Sequence, residues 1–308
     1  MFYKLINTMA FGLLLFGTAY SAETIVVLNP QGPGYSGTPQ FLATIEKANQ
    51  IQKKYQFVSE FKVGGFESVA LLDVKNNPQT RITSVVTSHL EAADRGLIKL
   101  DDYVPVFANG DACWTLASNF GNEKEGLKSL NSAKEIIVGA PALGGALHLM
   151  ALEIGKKYNK SVRFIFYKTN GEAVLAMMQG DTNLTLDRVS VYQGYKTKFP
   201  QVQLMAMTCG KRHLDAPNLK TLHEQGFNVP PIFNVILASR NMDPARKRDI
   251  REIFENASRA VGEKELVKLG DHIPAMFQQI DSDTYYYVMI EKHRRLREKW
   301  KKEVDSAR

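Results

Sequence analysis

Three short loops carry the residue types needed to hold an anion. They are Gly32-Pro33-Gly34-Tyr35-Ser36-Gly37-Thr38-Pro39, Ala142-Leu143-Gly144-Gly145 and Thr169-Asn170-Gly171. Each opens a segment that reads as a helix. Glycine lets the backbone approach a ligand closely. A helix start adds unpaired N–H groups and the positive end of the helix dipole. In the first loop Thr38 is expected as N-cap and Pro39 as the first helical residue. Three such ends around one cleft would bind a carboxylate without a buried cation. Glycine before a helix is most often plain turn chemistry, so the argument rests on three loops at equivalent positions. The candidate contacts are Gly34, Tyr35, Ser36, Gly37 and Thr38, then Leu143, Gly144 and Gly145, then Thr169, Asn170 and Gly171. Ser88 and Tyr167 join them from the ends of expected strands, where ligands of open parallel sheets sit.

Asp187-Arg188 ends another strand at the same expected cleft. Either the two form an ion pair of structural kind, or Arg188 forks onto a ligand carboxylate. Catalytic constellations are poor. Ser36 lacks a G-x-S-x-G elbow. His148 falls in the first turn of a helix within Leu147-His148-Leu149, the setting of a hydrogen-bonded structural histidine. No H-E-x-x-H or clustered His/Asp set indicates a metal. The first loop also matches G-x-G-x-x-G through Gly32, Gly34 and Gly37, with Glu60 at the end of the next strand. The alternative is therefore a Rossmann-like, dinucleotide-binding oxidoreductase. Against it, Asn29-Pro30-Gln31 intervene where a tight turn is wanted, and Pro33 removes a backbone donor. No catalytic residue, metal or cofactor is expected, and the chain is not read as an enzyme.

The elements that position these loops alternate. Glu23 to Asn29, Tyr55 to Val63 and Arg81 to Thr87 read as strands, separated by helices over Pro39 to Lys54 and Phe66 to Asn76. The pattern recurs with strands at Glu135 to Gly139, Val162 to Tyr167, Asn183 to Asp187 and Val202 to Thr208. Helices over Ala146 to Tyr158 and Gly171 to Gln179 lie between them. Such alternation means βαβ units and an α/β fold with a mostly parallel sheet in each of two lobes. Val104 to Ala108 followed by Cys113 to Ala117, and later Ile232 to Ser239, suit strands crossing between lobes. Helices over Pro244 to Val261 and Ser282 to Asp305 would complete the first lobe. Residues 22–110 and 228–308 are thus assigned to lobe 1 and 111–227 to lobe 2.

Residues 1–21 have the layout of a secretory signal peptide: Lys4, an apolar run over Met9 to Thr18, and small residues in Ala19-Tyr20-Ser21. The run is shorter than the roughly 20 residues a membrane span needs. A periplasmic location follows as an expectation. The net charge is +7, but much of it lies in Lys292 to Lys302, which reads as a solvated helix face rather than a nucleic-acid surface. The only cysteines are Cys113 and Cys209. Export would permit a disulfide between them. If the strand that enters lobe 2 runs antiparallel beside that lobe's last strand, the two would face each other at bonding distance. The other reading is two unrelated buried thiols.

Ordered motifs add a resemblance. They are Gly139-Ala140 leading to Gly144-Gly145-Ala146-Leu147-His148-Leu149; Phe166-Tyr167-Lys168 with Ala173 and Gly180-Asp181; and Met205 to Thr208 with Lys211-Arg212, Pro217, Thr221, Glu224 and Gly226. With these the chain resembles the substrate-binding proteins of tripartite tricarboxylate transporters, the Bug family, over essentially all of its length after the signal peptide. The resemblance implies a two-lobed periplasmic-binding-protein fold of type II, a Venus flytrap. It further implies capture of a small carboxylate between the lobes and delivery to membrane permease subunits. The chain departs from the pattern where the family has an acidic residue and this sequence has Pro39, at Thr169 where the family has glycine, and at Arg188. The loss of an acid at Pro39 and the gain of a base at Arg188 favour an anionic ligand.

Overall fold

A computed structural model describes residues 22–306 apart from Gly34, Ser36 and Ala142. The expected signal peptide and two expected contacts, Gly34 and Ser36, lie outside the described residues.

The chain begins with three βα units. These are β1 (Glu23–Asn29) and α1 (Thr38–Ile51), β2 (Tyr55–Phe61) and α2 (Ser68–Asn76), and β3 (Arg81–Val86) and α3 (Ser88–Asp94). Then come β4 (Tyr103–Ala112), β5 (Thr115–Ser118), β6 (Ile136–Ala140), α4 (Ala146–Tyr158), β7 (Val162–Phe166) and α5 (Asn170–Gln179). These are followed by β8 (Thr185–Asp187), α6 (Val189–Tyr195), β9 (Gln203–Met207) and β10 (Ile232–Ser239). The chain ends with α7 (Pro244–Val261), α8 (Glu263–Gly270), β11 (His272–Ile273), α9 (Ser282–Lys299) and α10 (Lys301–Ser306).

One lobe is built on a six-stranded sheet in the order β11-β4-β10-β3-β1-β2. Here β1 pairs in parallel with both β2 and β3, because a helix crosses each face between them. The strands added later, β10, β4 and β11, all pair antiparallel. The expected mostly parallel sheet therefore holds only where consecutive βα units build it. The second lobe repeats the division. β6 and β7 are parallel, while β5 is antiparallel to β8 and β9. A parallel bridge between Val138 and Leu184 links the two parts. Each sheet buries its own apolar faces. Ile25, Val27 and Phe57 pack under Phe254 in the first lobe, and Leu116, Val138 and Leu186 pack with Met150 in the second.

The seam between the sheets lies where β4 becomes β5. A bulge at Asn109 lets Asn234 face Gly110 while Val235 faces Ala108. Gly110 has φ +84, and a Cβ there would stand 1.8 Å from the carbonyl oxygen of Ile273. Only glycine fits that approach. Beyond the bulge, Thr115 faces Met207. The same antiparallel register, continued two residues outward, sets Cys113 opposite Cys209. They form a disulfide with Cα atoms 4.7 Å apart, the spacing of a non-hydrogen-bonded pair.

Candidate functional site

The first loop leaves the carboxyl end of β1. Gly37 rather than Thr38 is the N-cap of α1. The Thr38 hydroxyl instead donates to the Gly32 carbonyl at 3.1 Å and accepts from Asn29 at 3.3 Å. The Thr38 N–H donates to Tyr35 O, and Pro39 has none. At the helix start the Thr38 N–H is thus engaged and Pro39 offers none, and among the described residues it is the Tyr35 side chain that extends from the loop to the other lobe. That phenol lies 3.2 Å from His272 Nε2. His272 Nδ1 lies 2.6 Å from the Gly270 carbonyl and must donate to it. Nε2 is therefore the acceptor, and Tyr35 donates. Burial pushes His272 down to about 4, so the ring is neutral at pH 7. On its other side Tyr35 meets Trp114, ring centres 6.0 Å apart. Tyr35 joins a first-lobe loop to the second-lobe core.

The second loop is built differently. Gly145 is the N-cap of α4. The Gly144 N–H donates to His148 Nδ1 at 2.8 Å, and its carbonyl accepts from Arg297 at 2.7 Å. His148 is buried and has the structural role its position suggested. In the third loop Thr169 caps α5, accepting from the Glu172 N–H at 3.2 Å, while Glu172 accepts from the Lys168 N–H at 3.0 Å. Thr169 thus caps the N-terminal turn, and Glu172 reaches back to the residue before the cap. Thr169 and Gly171 are exposed, and Asn170 and Tyr167 half-buried.

Arg188, expected either in an ion pair or as a fork onto the ligand, makes an ion pair within the protein. Arg188 Nε lies 2.6 Å from Asp271 Oδ2, and a terminal nitrogen donates to the Lys268 carbonyl. His213 Nε2 faces the other Asp271 oxygen at 3.1 Å. Asp271 belongs to the segment leading into β11 of the large sheet, whereas Arg188 and His213 belong to the second lobe. Asp187 turns back to accept from the Arg188 N–H at 2.7 Å. Burial, aided by the charge of Asp271 and opposed by Arg188, pushes Asp187 up to about 6.

Sequence reasoning missed several groups here. Glu67 is 4% exposed and accepts from the Val86 N–H, from Gln31 and from Ser88. This holds the expected contact Ser88 on a partner inside the protein. Burial pushes Glu67 up to about 8. Phe66 and Glu67 follow Gly64-Gly65 and all four have positive φ, a strained turn that drives the carboxyl inward. The paired glycines were a visible signal. The others, Trp114, Asn234, Asp271, His272 and Arg297, had none, since each depends on a partner distant in sequence. Asn234 accepts from Ser84 and Asn109 at the bulge. Among the described residues no group of His, Cys, Asp and Glu is arranged to hold a metal ion, and no helix is long and apolar enough to cross a membrane.

No protein-family description matches the sequence, and comparison with curated proteins gives no match. Comparison with solved structures does. The periplasmic binding protein BugD superposes with TM-score 0.71 at 16% identity, over 91% of this chain and 97% of its own. MatC from Rhodopseudomonas palustris, solved with bound malate, gives 0.69 at 16%, over 90% and 98%. A third structure, an R. palustris protein with adipate, gives 0.68 at 16%, over 88% and 97%. The chain has the two-lobed fold of these periplasmic binding proteins. The motifs behind the sequence resemblance serve that fold. Arg212 clamps Glu224 through Nε and a terminal nitrogen and also holds the Pro217 carbonyl. Thr221 and Glu224 cap each other, and His148 fixes Gly144.

Proposed function

We propose that the chain is an exported solute-binding protein that captures a small carboxylate between its lobes. It delivers that solute to the membrane subunits of a tripartite tricarboxylate-type transporter. The observation that carries this reading is the Tyr35 bridge. A loop at the carboxyl end of β1 reaches across to Trp114 of the opposite lobe, where ligands of open α/β sheets bind. The fold shared with structures holding malate and adipate supports a carboxylate. The lobes would divide at residues 110/111 and 227/228, with the signal peptide removed on export to the periplasm.

Contacts are assigned to Tyr35, Gly37 and Thr38 in the first loop, to Leu143 to Gly145, and to Tyr167 and Thr169 to Gly171. Gly34 and Ser36 complete the first loop. Asp187 and Arg188 act by closing the lobes on Asp271 rather than by gripping the solute. Binding and closure are then one process, since the lobes trap what they enclose. No step breaks a covalent bond, and the reading is that of a carrier rather than an enzyme. No observation favours the dinucleotide alternative: at the helix start, where a pyrophosphate would sit, the Thr38 N–H is engaged and Pro39 has none.

A thermal-shift panel of mono-, di- and tricarboxylates with NAD as a control tests this. A native-state binder at 100 times its Kd stabilises by about 2.7 kcal/mol. The expected result is a shift with at least one carboxylate and none with NAD. A shift with NAD alone would overturn the reading.

A further inference from the structure

Tryptophan N–H groups almost always find an acceptor when buried. The two tryptophans of this chain differ in that respect. Trp300 Nε1 donates to Glu153 at 2.6 Å. Trp114 is only 6% exposed, yet its indole N–H has no acceptor among the described residues. Nothing about its backbone is loose. The Trp114 N–H donates to the Thr208 hydroxyl at 3.0 Å, and its carbonyl accepts from the Thr208 N–H at 2.9 Å. Cys113 beside it is tied to Cys209. The indole is thus held on a rigid element at the seam, one residue before β5. Its ring packs with Tyr35, tilted by 60°, and shares a cluster with Ala146 and Leu147 at the start of α4. One of the three loops assigned to the solute thus touches this ring through Tyr35, and the helix that a second one opens shares its cluster.

We propose that Trp114 is a solute-contacting residue, its indole N–H donating to an oxygen of the bound carboxylate. This rests on the reading above and narrows it. The ring against the indole is that of Tyr35, with His272 behind it, both neutral at pH 7, and Arg188 and Arg297 pair with the protein's own acids. Such a wall suits an organic carboxylate that presents one oxygen to the indole and carbon surface to the rings. It suits a small, densely charged anion poorly.

The chain has two tryptophans, so Trp300→Phe leaves Trp114 as the sole indole reporter. The probes are malate, adipate and benzoate, each titrated by fluorescence and by calorimetry. The expected result is a saturable change in Trp114 emission whose midpoint matches the calorimetric Kd. Trp114→Phe keeps the ring but removes the donor. It should weaken that Kd about ten- to a hundred-fold, the range for a hydrogen bond to a charged group, with the circular dichroism spectrum unchanged. If Trp114→Phe fails to fold, the emission titration in Trp300→Phe alone decides. A probe that binds by calorimetry without altering Trp114 emission, and with a Kd unchanged by Trp114→Phe, overturns this assignment and leaves the carboxylate reading intact. No binding of any probe to the unaltered chain overturns both.

Discussion

The two lobes are joined in two very different ways. On one side the joint is backbone and covalent. β4 runs into β5, Cys113 is bonded to Cys209, and the Cys113 N–H donates to the Asp271 carbonyl. On the other side the joint is made by side chains alone. Arg297 of α9 reaches Glu91 and Asp94 in its own lobe and the Gly144 carbonyl in the other. Trp300 and Lys299 hold Glu153 of α4, and Leu149 packs with Leu296, Trp300 and Val304. The difference assigns the mechanical roles. The expected opening pivots on the first joint and breaks the second together with the Tyr35–Trp114 and Arg188–Asp271 contacts, since side-chain contacts re-form without changing the chain path.

Acid gives the largest expected separation of the two. Burial holds His89, His148, His272 and His293 down to about 4, against an unfolded value near 6.5. Below 6.5 the unfolded chain binds more protons than the folded one. The histidine contribution to stability is therefore full above that pH and is lost as pH falls toward 4. Each pKa unit is about 1.4 kcal/mol, and the buried Glu67 and Asp187, held above the ordinary carboxylate range, act in the opposite sense and offset part of the histidine effect. Three of them lie at or beneath the side-chain joint: His148 holds Gly144, His293 on α9 donates to Pro231, and His89 stacks on Tyr286. Small-angle scattering of the non-reduced protein should show expansion between pH 6 and 4 as an expected outcome. Acid sensitivity confined to the disulfide joint would break the comparison.

Removing the disulfide comes next. It closes a loop over a sequence separation of 96, worth about 4–5 kcal/mol in the chain-entropy model. The double substitution of Cys113 and Cys209 by Ala should lower the urea midpoint accordingly while solute affinity survives. Arg297→Ala should cost less, about 2–3 kcal/mol. That is below the usual 3–5 for a broken buried pair, because Arg95 still pairs with Glu91. It should enlarge the radius of gyration of the unliganded protein, and an unchanged radius would contradict the role given to that joint.

The smallest effects compare two glycines. At Gly144, φ is +72 and a Cβ would stand 2.7 Å from a Glu91 oxygen. Gly144→Ala should cost about 1–3 kcal/mol. At Gly171 only the Thr169 hydroxyl comes within reach, at 3.9 Å, and the residue lies within α5. Gly171→Ala should stabilise by up to about 1 kcal/mol. Equal effects in thermal melts would mean that the second loop is not locked as described.

The βα alternation was legible because parallel strands, buried on both faces, read as unbroken apolar runs such as Ile25 to Leu28. Helix α7 was read with its observed bounds, Pro244–Val261, since Asp243 and Pro244 mark its start. Pairing direction was not legible. Nothing local in β4 or β10 states that each lies antiparallel to its neighbours. Short elements such as α6 and β11 escaped for want of a full period. The expected helix from Phe66 begins at Ser68, because Phe66 and Glu67 are left-handed. The loops were found, but not that the Gly144 N–H is engaged by His148 and the Thr38 N–H by the Tyr35 carbonyl. Long-range partners of this kind, and the pairing of Arg188 with Asp271, depend on a tertiary register that no local spacing records.

The structure of the protein with the carboxylate that gives the largest thermal shift tests the central claim most directly. The account predicts the solute between the lobes, within hydrogen-bonding distance of Trp114 Nε1 and against the Tyr35 ring, with the Arg188–Asp271 pair kept. A carboxylate bound on the outer face of either sheet, with the seam unchanged and Trp114 out of reach, would contradict it.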